Sequence, residues 1–270
     1  MVSVGVSSLF LFKHRKGIQD LGKYIESDPF RKHQPTFWQV IDDGPQELVG
    51  SNLIEAKELV SKGFRISVHS PSEIRFNLAH HNSQLRNQAI RRMKKSLDSA
   101  ALCEAAWWTL HLGYDTQGGS MLDEAKRNNN ESIQILWDYA HSIGIMLLVE
   151  NSPPHPGYDM ISPERFIDLN AQTGIKLKVA FDLGHSKMSG NITNFIDRLS
   201  KTFITVECSE NDAKRDLHLS LDEDNLEWKN AIDHLCDIGY VNNYIVETNE
   251  DPLLSFSALS SYISKQFRIS

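Results

Sequence analysis

Cysteine is scarce in this chain, which has only Cys103, Cys208 and Cys236 among its 270 residues. Three cysteines at such wide spacing do not predict a disulfide framework or a CxxC zinc knuckle. No apolar run reaches the roughly 18 residues needed to cross a bilayer, and the apolar N-terminus lacks the basic region and cleavage site of a signal peptide. We therefore expect a cytoplasmic protein with no membrane partner, whose N-terminal segment VSVGVSSLFLF is its first strand.

Several common active-site motifs are also absent. The chain contains no GxGxxG, no GxxxxGK[ST] and no GxSxG, which mark dinucleotide sites, P-loops and hydrolase nucleophiles. Positive charge is in short supply as well, since the formal net charge is -7 and the isoelectric point is near 5.9. Because DNA affinity comes mostly from lysine and arginine, nucleic acid is a disfavoured partner, although the basic run at 86–96 keeps it open.

Six segments of the chain share one pattern, an apolar run that ends in a residue able to bind a metal ion. They are RISVHS to His69, WWTLHL to His111, IMLLVE to Glu150, KVAFDLGH to Asp182 and His185, FITVEC to Glu207, and NYIVET to Glu247. The first ligands of successive segments lie 42, 39, 32, 25 and 40 residues apart, which leaves room for a loop, a helix and the next strand. Each segment therefore predicts one βα unit.

Two further apolar runs, SVGVS near 3–7 and FWQVI near 37–41, bring the predicted strands to eight. Helical stretches are expected near 48–62, 84–105, 121–144, 162–174, 192–201, 225–239 and 252–267. Helix boundaries are legible at Ser162 with Pro163 and at the C-cap glycines Gly63, Gly144, Gly174 and Gly239. The alternation predicts an α/β fold, a (β/α)8 TIM barrel in one domain of residues 1–270. A doubly wound open sheet is the alternative, but it gathers ligands at one switch point rather than from six strand ends.

Four of the strand-end residues are acidic, and each follows a run apolar enough to be buried. These residues are Glu150, Asp182, Glu207 and Glu247. An ionised carboxylate beside an apolar core is costly unless a cation or hydrogen bonds compensate it. The alternative, in which each residue caps a helix or pairs with a lysine, explains one such residue better than four in register. The pattern predicts a metal site.

Histidines form two further groups of candidate ligands. His69 and His111 end adjacent strands, and neutral imidazole binds zinc, manganese or iron well. His185 follows Asp182, while Asp216 and His218 are two residues apart and point the same way in an extended loop. Structural histidines and a loop held by Asp216 are the alternatives. Each group is consistent with a metal site, the second with an open position for water.

Other polar residues follow strands without marking a ligand group. Asp43, in the segment IDDGPQE after the second strand, is a candidate substrate contact. Lys214 and Arg215 stand in the NDAKRDLHL segment, where a phosphate or sugar oxygen could be held. Trp107 and Trp108 are expected to pack in the barrel.

These segments together resemble the xylose isomerase-like TIM barrel superfamily, or AP endonuclease family 2, which joins endonuclease IV with sugar isomerases and epimerases. The resemblance runs from about Val2 to about Phe267. It depends on SVHSPSEIRFNLA, LHLGY, LLVEN, FDLGHSKMSGN, NDAKRDLHLSL and YIVETN. Six segments in the family's order are a specific signal, whereas any one of them is weak.

The resemblance implies up to three divalent metal ions, because endonuclease IV-type members use three. It assigns His69, His111 and Glu150 to the first, Glu150, Asp182, Glu207 and Glu247 to the second, and His185, Asp216 and His218 to the third. The departure is Glu207, where endonuclease IV-type and epimerase-type members have histidine. Four carboxylates favour Mg²⁺, Mn²⁺ or Fe²⁺ over Zn²⁺ and look closer to the site of xylose isomerase itself.

Two functions stay open at this point. A metal-dependent isomerase or epimerase acting on a sugar or phosphorylated sugar would use Glu150 and Glu247 to exchange a proton through an enediolate, with His185 contacting the substrate. A phosphodiesterase, acting on abasic-site DNA or a small phosphoester, would use all the candidate ligands. The acidic charge favours the isomerase, and the retained histidines favour the phosphodiesterase. A lyase or a non-catalytic metal protein is a further alternative.

Overall fold

A computed structural model describes residues 2–26, 35, 37–72, 75–222 and 224–267 of the protein. Its eight strands are parallel, pair in chain order and close when β8 pairs with β1. They are β1 (Ser3–Ser7), β2 (Phe37–Ile41), β3 (Arg65–His69), β4 (Trp108–Leu110), β5 (Leu147–Glu150), β6 (Lys178–Asp182), β7 (Phe203–Cys208) and β8 (Asn243–Val246). The predicted (β/α)8 TIM barrel is confirmed, and the open-sheet alternative is wrong.

Ten α-helices are assigned within the described residues. They are α1 (Leu9–Lys13), α2 (Ile18–Ile25), α3 (Gly50–Ser61), α4 (Ser83–Leu102), α5 (Leu122–Ser142), α6 (Pro163–Thr173), α7 (Leu183–Ser189), α8 (Ile192–Leu199), α9 (Leu226–Asp237) and α10 (Pro252–Gln266). In the part of the chain covered by the structure, no helix combines the length and apolarity of a membrane span. All seven predicted helices are present, within about three residues of their expected bounds.

The predicted helix boundaries are confirmed where a residue type fixes the backbone. Helix α6 begins at Pro163 after Ser162, and Gly174 ends it in the left-handed conformation with a φ of 73°. Three helices were not predicted: α1, α2 and α7. The segment LFLF at 9–12 was expected to belong to the first strand, but β1 ends at Ser7 and this segment lies in α1. A short apolar run does not distinguish a strand from a buried helix, which is why this expectation was wrong.

The hydrophobic core has two layers, one inside the barrel and one between the strands and the helices. Phe37, Trp107 and Leu148 pack in the interior cluster, whereas Trp38 and Trp108 belong to the large outer cluster. Trp107 and Trp108 are both buried, so their predicted packing role is confirmed. Strand side chains alternate between the two layers, which leaves the carboxyl ends of the strands as the place where polar side chains meet.

Gly5 makes room for the interior cluster. It pairs in register with Phe37 on the neighbouring strand, and a Cβ at this position would lie 2.6 Å from the Phe37 ring. Phe37 cannot move freely, because its ring packs edge-on against Trp107 with centroids 5.2 Å apart. The interior of the barrel is therefore filled up to the backbone of β1.

We expect Gly5→Ala to destabilise the protein by about 1–3 kcal/mol, because an added methyl group overpacks a filled core. Urea unfolding followed by circular dichroism measures the free energy of unfolding. The double variant Gly5→Ala/Phe37→Leu should recover part of the loss by shortening the ring that clashes. Equal stability of Gly5→Ala and the parent would contradict this account of the interior.

Candidate metal centre and active site

The barrel brings the strand-end candidates to one rim. His69, Glu150 and Asp182 are the last residues of their strands, and Glu207 is the second-last residue of β7. His111 and Glu247 follow the ends of β4 and β8 by one residue. Strand pairing sets the level of these residues along the barrel axis; Asp182, for example, is in register with Glu207. Residues separated by up to 178 positions, from His69 to Glu247, thus face one another.

Four carboxylates form the centre of the site. Glu150, Asp182, Glu207 and Glu247 each offer an oxygen atom, and these four atoms all lie within 4.8 Å of one another. The first three side chains are fully buried and Glu247 is nearly so. One oxygen each of Glu150, Asp182 and Glu207 is buried without a hydrogen-bond partner. Unpaired buried carboxylate oxygens are costly, so this cluster fits a hard divalent cation.

The helix-cap alternative holds for one of the four carboxylates. Asp182 accepts a hydrogen bond of 2.5 Å from the backbone N–H of His185 and so begins helix α7. Its other oxygen has no partner and remains available to a cation. Helix capping and membership of the carboxylate cluster are therefore compatible roles for Asp182.

A second cluster joins His69, His111 and Glu150. Both histidines direct Nε2 at Glu150 Oε2, at 3.2 Å for His69 and 3.1 Å for His111. The Nδ1 of His69 lies 2.8 Å from the backbone carbonyl of Ser70, which can only accept, so Nδ1 carries the proton. Nε2 donates to the ionised Glu150 carboxylate, which raises the pKa of His69 despite its burial. A metal ion at Nε2 would replace that proton, while the bond from Nδ1 keeps the ring in place.

The third cluster joins His185, Asp216 and His218. Asp216 Oδ2 lies 3.0 Å from His185 Nε2 and 3.2 Å from His218 Nε2. Both rings again place Nδ1 near a backbone carbonyl, that of Asn151 for His185 and that of Glu247 for His218. The second oxygen of Asp216 is buried without a partner. The donor types and tautomers fit a metal ion here as well.

The clustered charges shift the pKa values strongly. Burial, reinforced by nearby Glu150, raises the pKa of Glu247 to about 7 and that of Asp182 to about 6. Burial and the charges of Glu150 and Glu247 also raise the pKa of Glu207 well above its usual value. Burial lowers the pKa of His111 to about 4. Glu207 and part of the Glu247 population therefore hold a proton near neutral pH unless a cation replaces it. Glu150 stays ionised, because His111, His185 and His69 hold its pKa well below its usual value despite its burial.

A cavity of about 240 Å³ lies directly above the clusters. Seven predicted ligands line it, namely His69, His111, Glu150, His185, Asp216, His218 and Glu247. Asp182 and Glu207 do not line it and lie deeper in the barrel. The rest of the wall is largely apolar and aromatic, and includes Leu9, Phe12, Ile41, Phe76, Tyr114 and Tyr158.

Three predicted substrate contacts do not occur among the described residues that line the cavity. Asp43 is buried, and its carboxylate accepts hydrogen bonds from the N–H groups of Gly44 and Ser72. Lys214 and Arg215 are exposed, and Arg215 pairs with Asp212 at 2.8 Å. Of the predicted substrate contacts, only His185 reaches the cavity. The roles of Asp43, Lys214 and Arg215 stay predictions without support from the geometry.

Sequence reasoning missed several residues that support the clusters. Gln39 donates a hydrogen bond of 2.6 Å to Glu207, and the Ser7 hydroxyl lies 3.4 Å from Glu247. Asn151 holds Asp182 through both backbone groups, accepting from its N–H and donating to its carbonyl. Ser7 is the last residue of β1 and Gln39 is the middle residue of β2, the two strands for which the sequence offered no ligand. A polar side chain within each of these apolar strands is the sequence feature that could have indicated a role in the site.

Comparisons with known proteins agree with this architecture. A family model described as xylose isomerase-like TIM barrel matches residues 19–264. The uncharacterized protein MJ1311 of Methanocaldococcus jannaschii is 25% identical over 241 residues, covering 86% of this chain and 82% of that protein. The crystal structure of a D-tagatose 3-epimerase-like protein is 23% identical, with a TM-score of 0.86 and 98% of both chains covered. A structure of the IOLI protein with a bound zinc atom is 14% identical, with a TM-score of 0.74, covering 99% of this chain and 100% of that one.

We expect the affinity for Mn²⁺ to rise with pH between about 6 and about 7, because Asp182 and Glu247 hold protons below these values. A metal ion has to displace these protons, so affinity should change by up to about tenfold per pH unit for each displaced proton. Calorimetric titration in buffers of different ionisation enthalpy measures both the affinity and the number of protons released. An affinity that stays flat across this window would contradict the expectation.

Proposed function

We propose that this chain, which belongs to the xylose isomerase-like TIM barrel family, is a divalent-metal-dependent sugar or sugar-phosphate isomerase or epimerase that transfers a proton through an enediolate. The observation that carries the proposal is that the four carboxylates differ in their access to the cavity. Glu150 and Glu247 line the cavity, whereas Asp182 and Glu207 are buried beneath it. Two carboxylates can therefore reach a substrate while all four can hold a cation.

The metal ion would be held by Glu150, Asp182, Glu207 and Glu247, with further ions at the histidine clusters, so that each chain would bind one to three. Carboxylate oxygens suit Mg²⁺ or Mn²⁺, and the imidazoles of the other clusters also suit Fe²⁺ or Zn²⁺. A cation at the four carboxylates supplies Lewis acidity that polarises a substrate carbonyl and makes the adjacent C–H more acidic.

Glu150 and Glu247 are placed to carry the proton. They extend from β5 and β8, strands that are separated in the barrel by β6 and β7, so they approach the cavity from two directions. One carboxylate can remove a proton from one face of the substrate while the other returns a proton to the opposite face, which is what an epimerase requires. The pKa of Glu247, which burial raises to about 7, suits a group that accepts and donates a proton near neutral pH.

The dimensions and polarity of the cavity favour a small substrate. Its volume of about 240 Å³ is below the roughly 300 Å³ at which pockets for drug-sized molecules start. Its clusters offer polar contacts on one side, while Phe12, Tyr114 and Tyr158 on the wall suit the C–H face of a sugar ring. The D-tagatose 3-epimerase-like protein, which shares the fold, is consistent with a small sugar as substrate.

The central test is hydrogen exchange in D₂O with a panel of ketoses and their phosphates, in the presence of Mn²⁺ or Mg²⁺. We expect the parent protein to replace one substrate C–H by C–D, observed by NMR, and to form the isomer or epimer. Glu247→Gln should slow exchange by about 100- to 10,000-fold, because it removes a general base while keeping the shape of the side chain.

Glu58→Gln is the matched control, because it makes the same chemical change at an exposed residue of α3, away from the rim. Metal content is measured for every variant, so that loss of a proton-transfer group is distinguished from loss of the cation. The proposal is wrong if the metal-loaded parent shows no exchange with any member of the panel.

Phosphoester hydrolysis is the second candidate, and one observation favours it. The clusters are contiguous, because Glu150 belongs both to the cluster of His69 and His111 and to the cluster of four carboxylates. Adjacent metal ions can clamp a phosphate and stabilise both the attacking and the leaving oxygen. An isomerase with a single metal ion does not need the third cluster, so its retention supports this alternative.

If the protein is a phosphoesterase, we expect its Mn²⁺- or Zn²⁺-loaded form to cleave bis(p-nitrophenyl) phosphate or to nick an abasic-site duplex. Without either activity this hypothesis is wrong. His218→Asn should then abolish cleavage, because it removes a ligand of the third cluster. His141→Asn is the control, since His141 is an exposed residue near the end of α5. Cleavage that survives His218→Asn would point to a contaminating activity.

A further inference from the structure

An ion pair outside the cavity joins the two segments that carry the third cluster. His185 belongs to α7, while Asp216 and His218 belong to residues 209–219, which we call the ligand loop. Lys187 Nζ on α7 lies 2.7 Å from Glu210 Oε2 at the start of the ligand loop. The side chains are 14% and 8% exposed, so the pair is largely shielded from water. Neither residue lines the cavity, so neither is placed to contact the substrate.

Glu210 sits at the base of the ligand loop. Its backbone N–H donates to the Leu219 carbonyl at 2.9 Å, and the Leu219 N–H donates back to the Glu210 carbonyl at 2.7 Å. This bridge ties the two ends of the loop together, so a shift of Glu210 moves both ends. The remaining carboxylate oxygen of Glu210 accepts a hydrogen bond of 2.7 Å from Asn225, the N-cap of α9.

Helix α7 and the ligand loop also pack closely where they meet. Asn211 donates a hydrogen bond of 2.8 Å to the Gly184 carbonyl. A Cβ at Gly184 would lie 3.0 Å from both Asn211 and Ser209, so only glycine permits this approach without a shift of its neighbours. Lys187 is two residues beyond His185 on the same short helix, and a second acidic group, Glu227, lies 3.0 Å from its Nζ. The lysine is thus held between the loop and α9.

We infer that Lys187 is a positioning residue, whose ion pair with Glu210 fixes the spacing between α7 and the ligand loop and thereby sets the metal affinity of His185, Asp216 and His218. The inference rests on the proposed role of these three residues as metal ligands. The other clusters need not depend on the pair, because His69, His111 and Glu150 extend from β3, β4 and β5. Loss of the pair should therefore weaken one metal site selectively.

The test is a Co²⁺ titration of the metal-free protein, followed by visible absorption and by metal analysis after dialysis. Lys187→Met removes the charge and keeps most of the side-chain volume. We expect about a 10- to 100-fold loss of affinity at one site, the size usual for residues that orient metal ligands, with unchanged affinity at the others. Lys187→Arg should restore most of the loss, because it restores the charge.

His218→Asn identifies which absorption band and which bound ion belong to the third cluster. Lys176→Met is the control, since Lys176 is an exposed lysine before β6. Glu210→Gln keeps an acceptor for Asn225 while weakening the pair, so it provides a milder second variant if Lys187→Met folds poorly. The double variant Lys187→Met/Glu210→Gln should lose no more affinity than the stronger single variant, because both changes break one interaction.

The possible results distinguish failure of the ligand assignment from failure of the positioning role of Lys187. If the parent binds no ion that His218→Asn removes, the ligand assignment fails, and the inference fails with it. If the parent loads the third cluster and Lys187→Met loads it equally well, only the positioning role is wrong. A uniform loss at every site, together with a lower melting temperature, would assign Lys187 to general stability and would also overturn the inference.

Discussion

The repulsion among buried carboxylates at the rim of the barrel is the constraint on which the rest of the site depends. Glu150, Asp182 and Glu207 are fully buried, and each keeps one oxygen without a hydrogen-bond partner. Burial and mutual repulsion raise the pKa values of Asp182 and Glu207, so the fold bears a cost that protons or cations have to offset. The surrounding histidines and the amide of Gln39 reduce that cost through hydrogen bonds to the carboxylates. The chain thus gives up stability for a cluster of carboxylates suited to bind a cation.

Much of this arrangement was predictable because parallel strands impose it. A strand covered on both faces reads as a continuous apolar run, and the first polar residue after the run marks the rim. That rule located His69, Glu150 and Glu247 and predicted that they would meet, which the structure bears out. The spacing of Asp216 and His218 also predicted that they would lie together, and they do, although His218 adopts a φ of 46° rather than an extended conformation. Their function as ligands remains a prediction.

The rest depends on loop geometry and on polar contacts across the barrel, which spacing does not encode. Lys214 and Arg215 were expected near the substrate, but Asp212 accepts hydrogen bonds from both of their N–H groups and Ala213 adopts a φ of 59°. This turn directs both side chains to solvent. Helix α7 was missed because seven residues are too few for a clear helical period, and its start depends on the cap that Asp182 provides. The apolar wall at Phe12 was missed together with α1.

Glu150 belongs both to the cluster of His69 and His111 and to the cluster of four carboxylates, and this shared membership couples the two clusters. An ion in one cluster draws electron density from Glu150, which the other cluster also uses, and takes the place of its hydrogen bonds. The same ion reduces the repulsion among the carboxylates. By thermodynamic reciprocity, whatever the first ion does to the affinity of a second, the second does equally to the first. These two clusters are therefore better regarded as a single polyvalent ligand with several states of charge than as two independent sites.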